Sequence, residues 1–152
     1  MKPQIIIKSE NFEKARAEIK KNKDKTIIFT GNDDELNRKI LEKEKIDIFL
    51  ISLSGRKDWQ KQRNSGLDNV MAKEASKKGV IIAINLDELI NAGEKDKEAI
   101  LARIRQNVEL CTKHKLKMTF LGKAKKDPYE LKALGLVLGM PTWMLIDTNK
   151  TF

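Results

Sequence analysis

The sequence predicts an α/β fold of parallel βα repeats that form either an open doubly wound sheet or part of a barrel. Short runs rich in Ile, Val and Phe recur along the 152 residues, almost without polar residues inside them. Such runs are typical of parallel strands that are buried on both faces. Segments with apolar residues at helical spacing separate the runs, which favours right-handed crossovers. Periodicity does not distinguish an open doubly wound sheet from part of a barrel.

The elements can be placed from these runs and periodicities. Five strands are predicted, with a sixth suggested after them, at residues 4–8, 26–30, 47–53, 80–84, 117–121 and 142–146. The helices predicted between the strands span about 10–21, 33–44, 66–78, 97–114 and 128–138. We expect residues 1–152 to form a single domain, because no low-complexity linker interrupts the alternation.

Capping residues mark several of the predicted helix ends. Asn32 and Ser65 each precede an acidic residue by three positions, which is the spacing of an N-terminal capping box. Asp127 precedes a proline and is predicted to cap the last helix. Gly79 and Gly139 are predicted to terminate helices, since glycine adopts the left-handed conformation that a helix end requires.

The helix predicted at 97–114 carries an apolar stripe that includes Cys111, the single cysteine. We therefore expect Cys111 to fill the core rather than to act as a nucleophile. The same projection predicts that Arg103, Gln106 and Lys113 face outward. One cysteine also excludes an internal disulfide and favours a reducing compartment.

The net charge of +9 is concentrated in two segments. Residues 54–63 carry a surplus of three positive charges, and residues 113–126 carry a surplus of six with no acidic residue, so the rest of the chain is balanced. Localised basic charge favours a polyanion such as nucleic acid as the partner. The alternative is that the lysines decorate solvated loops without a binding role.

The residue set argues against catalysis by this chain. His114 is the only histidine, and lysines on both sides would oppose its protonation and repel a metal ion. The acidic clusters at 33–35 and 87–88 lie at predicted helix starts or loops, and no glycine-rich phosphate loop is present. We expect no catalytic residue, metal ligand or cofactor on this chain.

A secreted or membrane protein is also disfavoured. Residues 1–8 contain only three consecutive apolar residues before a charge, unlike a signal peptide, and no apolar stretch approaches membrane-spanning length. We expect a soluble, cytoplasmic protein that does not bind membranes.

The basic segment 54–67 follows a predicted strand and precedes a predicted helix, which places it at the carboxyl-end edge of the sheet. Arg and Lys can hold phosphates there, and an exposed Trp can stack on a base. Lys123, Lys125 and Lys126 follow the strand predicted at 117–121, so we expect them at the same edge, whereas Lys113, Lys115 and Lys117 should lie at the opposite edge. The alternative is a solvated loop with its Trp against a helix. The predicted RNA-binding residues are Arg56, Lys57, Trp59, Lys61, Arg63, Asn64, Lys123, Lys125 and Lys126.

Three sequence blocks, in this order, resemble a known family. They are RNSGLDNVMAK at 63–73, with KKGV following at 77–80; RIRQNVELCTK at 103–113; and DPYELKALGLVLGM at 127–140. Together they are similar to protein component 3 of archaeal ribonuclease P, the p30-type subunit. The resemblance implies a TIM-barrel-like fold related to metal-dependent hydrolases but without their metal centre. Because family members are typically longer, we expect a shortened or incomplete barrel.

The resemblance also implies a function. The family member is a non-catalytic subunit of the ribonucleoprotein that removes the 5′ leader of precursor tRNA. Implied partners are RNase P RNA, a small α/β RNase P protein subunit and other RNase P proteins, with precursor tRNA contacted indirectly. Catalysis would belong to the RNA and its Mg²⁺. Two alternatives stay open: a generic RNA-binding or ribosome-associated α/β module and, less favoured, a metal-dependent phosphohydrolase.

Overall fold

The structure, a computed structural model, describes residues 2–123 and 125–147. Its strands are β1 (Gln4–Lys8), β2 (Thr26–Thr30), β3 (Ile48–Ile51), β4 (Ile81–Asn85) and β5 (Met118–Leu121). Its helices are α1 (Phe12–Lys21), α2 (Asp34–Lys43), α3 (Asn69–Lys78), α4 (Leu86–Asn91), α5 (Glu94–Lys113) and α6 (Pro128–Val137). The alternation of strands and helices confirms the predicted α/β class.

The sheet is parallel, and its spatial order is the order of the chain. Each strand pairs with the strand before it, from β1 through β5. A doubly wound sheet would reverse this order at a switch point, whereas the wall of a barrel does not. Among the described strands, β1 and β5 form the two edges of the sheet. The open sheet therefore agrees with an incomplete TIM-barrel-like fold.

The suggested sixth strand is represented by a single bridge. Leu145 bridges Met118 in parallel orientation at the free edge of β5. The Met118 amide donates to the Met144 carbonyl at 3.0 Å, and the Ile146 amide donates to the Met118 carbonyl at 2.9 Å. Residues 144–146 therefore occupy the position of a sixth strand but pair with β5 at one residue only.

The two faces of the sheet are buried to different extents. The face toward the helices carries the larger core, which includes the fully buried Phe29, Phe49 and Ile82. The other face carries a smaller cluster of buried residues, consisting of Ile28, Ile48, Ile81 and Ala83. The apolar runs lack alternation because side chains on both faces of the sheet join an apolar cluster.

Cys111 belongs to the larger core, as predicted. Its side chain is fully buried on α5, and this burial raises the pKa of the thiol to about 12. A thiol with that pKa stays protonated at neutral pH and is a poor nucleophile.

No described helix has the length and apolar character needed to cross a membrane.

Two predicted caps are wrong by one and three residues. The N-cap of α2 is Asp33 instead of Asn32, and its carboxylate accepts from the Glu35 amide at 3.0 Å. The N-cap of α3 is Asp68 instead of Ser65. The helix begins later than predicted because Gly66 adopts a left-handed conformation, with a φ of 74°, and the chain is not yet helical at that residue.

Two other predicted capping residues lie at helix ends as expected. Asp127 caps α6 and accepts from the Tyr129 amide at 2.8 Å. Gly79 ends α3 with a φ of 68°, in the left-handed region. The short helix α4 was not predicted, because six residues are too few for a helical period to be distinguished from a loop.

Candidate nucleic-acid interface

Two loops emerge from the carboxyl-end edge of the sheet, which is the end at which the parallel strands finish. The β3–α3 loop spans residues 52–68, and the β5–α6 loop spans residues 122–127. Because β3, β4 and β5 are parallel neighbours, both loops leave the same edge, as the sequence predicts. Because β4 lies between β3 and β5, helix α4, which directly follows β4, begins between the two loops.

Two adjacent acidic residues in α4 connect the loops. The Asp87 carboxylate accepts from the Lys123 amide at 2.9 Å, at the start of the β5–α6 loop. The Glu88 carboxylate accepts from the Ser52 hydroxyl at 2.7 Å and from the Leu53 amide at 3.1 Å, at the start of the β3–α3 loop. These bonds fix the origins of both loops relative to one short helix, so the two basic segments form one edge.

Arg56 anchors the β3–α3 loop from inside. Its side chain is only 9% exposed and pairs with both oxygens of Asp34 at 3.0 Å. It also donates to the Ser52 carbonyl at 2.6 Å and to the Asn64 side chain at 3.1 Å. Arg56 thereby joins the two limbs of the loop to the first turn of α2. Arg56 Nε and Nη1 and Asn64 Oδ1 bond within the protein, and contact of either residue with RNA stays a prediction.

Gly66 makes this arrangement possible. Its φ of 74° lies in the left-handed region, which disfavours other residues. A Cβ atom at this position would lie 2.6 Å from Arg56 Nη2 and 2.6 Å from Ile51 Cγ2. The guanidinium therefore packs directly on the glycine backbone.

Arg103 was predicted to face outward, and that prediction is wrong. Its side chain is 6% exposed and extends from α5 into the β3–α3 loop. It donates to the carbonyls of Leu53 at 3.0 Å and Arg56 at 2.8 Å, and to Asp58 Oδ1 at 3.2 Å. The spacing contained a signal, since position 103 lies three residues after Ile100 and thus on the buried stripe.

Gln106 and Asn107 hold the second limb of the same loop. Gln106, also predicted to face outward, donates to the Arg63 carbonyl at 3.0 Å and to the Ser65 hydroxyl at 3.1 Å. Asn107 donates to the Ser65 carbonyl at 3.0 Å and is buried. Consecutive turns of α5 thus support both limbs of the loop.

Asp58 closes the loop on itself. Its Oδ1 atom accepts from the Asn64 amide at 2.8 Å, and its Oδ2 atom lies 3.7 Å from Arg63 Nη1. The hydrogen bond from the Asn64 amide, with help from Arg103 and Arg63, lowers the pKa of Asp58. The carboxylate is therefore fully ionised at neutral pH and keeps all of its acceptor capacity.

The tip of the loop, residues 59–62, projects into solvent. The Trp59 amide donates to the Gln62 carbonyl at 2.9 Å, which closes a turn. Trp59 is 61% exposed, so most of its surface is accessible to a ligand. Lys57 and Lys61 flank it, and both are exposed without an ion pair to any described residue. An indole between two free ammonium groups suits a base and its neighbouring phosphates.

The β5–α6 loop presents its cations differently. Lys123, Lys125 and Lys126 are all exposed, and within the described ranges none of their ammonium groups forms an ion pair. They line the mouth of an open concavity of about 1180 Å³ over the smaller-core face of the sheet. These lysines are free to meet an anion.

The remaining basic cluster lies at the opposite end of the strands, where the parallel strands begin. Lys113, Lys115 and Lys117 precede β5, as predicted. Lys117 Nζ donates to the Trp143 carbonyl at 2.7 Å and lies 5.2 Å from the centre of its ring. His114 is the C-cap of α5, with its ring 3.3 Å from the Asn69 side chain. These residues are remote from both loops along the strand direction.

No group of three or more His, Cys, Asp or Glu side chains suited to a metal ion occurs within residues 2–123 and 125–147. The acidic residues at the edge have structural partners. Asp34 pairs with Arg56, and Asp87 and Glu88 accept from loop amides. What the edge offers to a ligand is positive charge and an exposed indole.

Comparisons with known proteins agree with this architecture. The family model described as RNase P subunit p30 matches residues 4–148. "Ribonuclease P protein component 3" of Methanocaldococcus jannaschii is 31% identical over 136 residues, which cover 85% of this chain and 56% of that protein. The protein of the same name from Methanococcus maripaludis strain C7 is 27% identical over 137 residues, covering 89% and 56%.

A solved structure supports the same relationship. A chain in the cryo-EM structure of archaeal ribonuclease P with mature tRNA superimposes with a TM-score of 0.80 at 29% identity, covering 94% of this chain and 62% of that chain. The chain spans a little more than half the length of the relatives it matches. From the family model, the relatives and the structural match together, the chain belongs to the RNase P subunit p30 family.

Proposed function

We propose that this chain is a non-catalytic protein subunit of ribonuclease P, the ribonucleoprotein that removes the 5′ leader of precursor tRNA. It binds RNase P RNA through the carboxyl-end edge and assists RNA folding and substrate binding. Besides family membership, one observation carries the proposal: the β3–α3 loop displays Trp59 between free lysines at the edge that also bears Lys123, Lys125 and Lys126. A stacking ring surrounded by cations is the chemistry by which proteins hold RNA.

The charge at this edge suits RNA more than a small anion. Five lysines have unpaired ammonium groups among the described residues: Lys57, Lys61, Lys123, Lys125 and Lys126. They are distributed over two loops connected through α4, so they can meet several phosphates along a strand rather than one isolated group. Arg63 can add a further contact, since its side chain is 52% exposed despite the pair with Asp58.

The proposed partners follow from the family. They are RNase P RNA, a small α/β RNase P protein subunit and other RNase P proteins, while precursor tRNA is contacted indirectly. Catalysis is assigned to the RNA with its Mg²⁺, and this chain supplies neither a cofactor nor a catalytic residue. The proposed location is the cytoplasm, where precursor tRNA is processed in an archaeal cell.

Reconstitution tests the proposal. RNase P RNA and the other protein subunits are assembled with and without this chain, and cleavage of precursor tRNA is measured at moderate Mg²⁺. We expect the chain to raise the cleavage rate and to have no activity alone after rigorous removal of RNA. Cleavage by the protein alone, or no effect of adding it, would contradict the proposal.

The same edge would also serve a generic RNA-binding or ribosome-associated module, because phosphate contacts carry no sequence information. RNA that co-purifies with the chain separates the two functions. Enrichment of RNase P RNA supports the proposal, and a mixture dominated by ribosomal RNA supports the alternative.

A further inference from the structure

We propose that Asp58 and Arg103 form a latch that holds the β3–α3 loop in its RNA-binding shape, so that Arg103 is a positioning residue that does not itself contact RNA. The inference deepens the proposed function and rests on it. Its distinctive consequence is that an acidic residue, Asp58, favours the binding of a polyanion.

Burial excludes Arg103 from direct phosphate contact. Its side chain is 6% exposed, and its guanidinium donates to Leu53 O, Arg56 O and Asp58 Oδ1 at 3.0, 2.8 and 3.2 Å. A guanidinium with these partners has little capacity left for an external anion. Its positive charge is therefore used to fix three points on the outgoing limb of the loop.

Asp58 connects that limb to the returning one. The oxygen that accepts from Arg103 also accepts from the Asn64 amide at 2.8 Å. Gln106, one turn further along α5, donates to the Arg63 carbonyl at 3.0 Å and so holds the returning limb directly. The chain between positions 58 and 64 is consequently closed at its base.

The side chains of the β3–α3 loop that are proposed to meet RNA lie within or beside this closed segment. Trp59 and Lys61 lie inside it, and Lys57 lies between the anchored Arg56 carbonyl and Asp58. With the latch formed, these side chains start from a fixed backbone, and RNA binding does not have to order the loop. Preorganisation of this kind increases affinity by removing an entropic cost.

Two substitutions with opposite changes in net charge separate positioning from simple electrostatics. Asp58→Ala removes a negative charge, and Arg103→Met removes a positive one. If charge alone mattered, the first would strengthen binding to RNase P RNA and the second would weaken it. The latch predicts that both weaken binding, by about tenfold each at fixed salt, since each releases several side chains.

Matched controls are available far from the edge. Asp24 and Lys23 are exposed residues between α1 and β2, at the opposite edge of the sheet. Asp24→Ala and Lys23→Met make the same charge changes, and we expect each to alter the dissociation constant by less than about twofold.

Limited digestion with trypsin reports on the loop without RNA. The latched loop should resist cleavage after Lys57, Lys61 and Arg63, and both latch variants should be cut there faster while the rest of the chain stays resistant. If Arg103→Met fails to fold, Asp58→Ala decides the sign alone.

Tighter RNA binding by Asp58→Ala, or an unchanged cleavage pattern in that variant, would overturn the latch. Failure of the unsubstituted chain to bind RNase P RNA would instead overturn the proposed function. The digestion needs no RNA, so it would still test the latch in that case. The two failures are therefore distinguishable.

Discussion

The two loops at the carboxyl-end edge contain similar basic sequences but use their charges differently. In the β3–α3 loop, Arg56 is buried against Asp34, and Arg63 pairs with Asp58. In the β5–α6 loop, no lysine ammonium group pairs with a described residue. Charge counted along a sequence therefore overstates what the first loop can offer to a ligand, and part of its positive charge serves to build the loop.

The loops also differ in what holds them. The β3–α3 loop is bonded to α2, α4 and α5 through Asp34, Glu88 and Arg103. Within the described part of the β5–α6 loop, the Lys123 amide donates to Asp87, and the Asp127 side chain caps α6 by accepting from the Tyr129 amide. Substitutions of the anchoring residues in the first loop should therefore change stability, whereas substitutions of the lysines in the second should change binding alone.

The largest difference is expected between Arg56→Ala and Lys125→Ala. Loss of Arg56 removes several charged hydrogen bonds from a buried side chain, and it should lower the free energy of unfolding by about 2–3 kcal/mol. Loss of Lys125 should change it by less than about 0.5 kcal/mol. Urea denaturation measures both, and equal values would show that Arg56 does not anchor its loop.

A smaller effect is expected from Gly66→Ala, with Gly55→Ala as its control. Both glycines have positive φ, of 74° and 70°, so both variants are strained. Only position 66 is also crowded, by Arg56 and Ile51, whereas nothing lies within 4 Å of a Cβ at position 55. We expect a loss of about 2 kcal/mol at position 66 and about 1 kcal/mol at position 55. Equal losses in thermal unfolding would mean that the close packing of Arg56 contributes nothing.

The loops should behave alike where each enters a helix. Asp68 caps α3 and Asp127 caps α6, each through a side-chain bond of 2.8 Å to a backbone amide. Substitution of either residue by Ala should cost about 1 kcal/mol of stability. Unfolding of the two variants checks this, and no loss at Asp68 would return the capping role to Ser65.

The smallest effect concerns pH. The folded pKa of Asp58 is lowered, chiefly by the hydrogen bond from the Asn64 amide, so its contribution to loop stability is present above the unfolded pKa of about 4. That contribution is lost as the pH falls through the folded value. In a Trp143→Phe background, Trp59 fluorescence should stay constant from neutral pH to about pH 4 and change only below it. A transition near pH 6 would contradict this origin.

The fold could be predicted because its signals are local. Each parallel strand is an apolar run flanked by helical periodicity, and β1 and β2 have the predicted bounds. Helix α4 was missed because six residues do not show a period. The caps at Asp33 and Asp68 were misplaced because neighbouring polar residues compete for the same role, and local geometry decides between them.

The construction of the edge could be predicted only in part. The strand order places both loops together, which follows from the parallel alternation. The pair between Arg56 and Asp34 joins residues 22 positions apart, and the pair between Arg103 and Asp58 joins residues 45 apart. A local sequence pattern cannot predict contacts between residues that lie this far apart in the chain. Arg103 was predicted to face outward, although its spacing from Ile100 places it on the buried stripe of α5.

Contact with RNA by the nine predicted residues stays a prediction. Of these nine residues, those with an unpaired charge among the described residues are Lys57, Lys61, Lys123, Lys125 and Lys126. Arg63 is partly available because its side chain stays half-exposed beside Asp58. The salt dependence of RNA binding tests this smaller set, because each phosphate contact contributes about 0.7–0.9 to the slope.

The most direct measurement is the affinity for RNase P RNA as a function of salt. With about four phosphate contacts, log affinity should fall with log salt at a slope of about −3. Reversal of the five edge lysines to Glu should weaken binding strongly and bring the slope near zero. Reversal of five exposed lysines elsewhere makes the same charge change; these are Lys21, Lys23, Lys45, Lys113 and Lys115. The account predicts that this control keeps the slope near −3, and loss of binding in the control but not in the edge variant would contradict it.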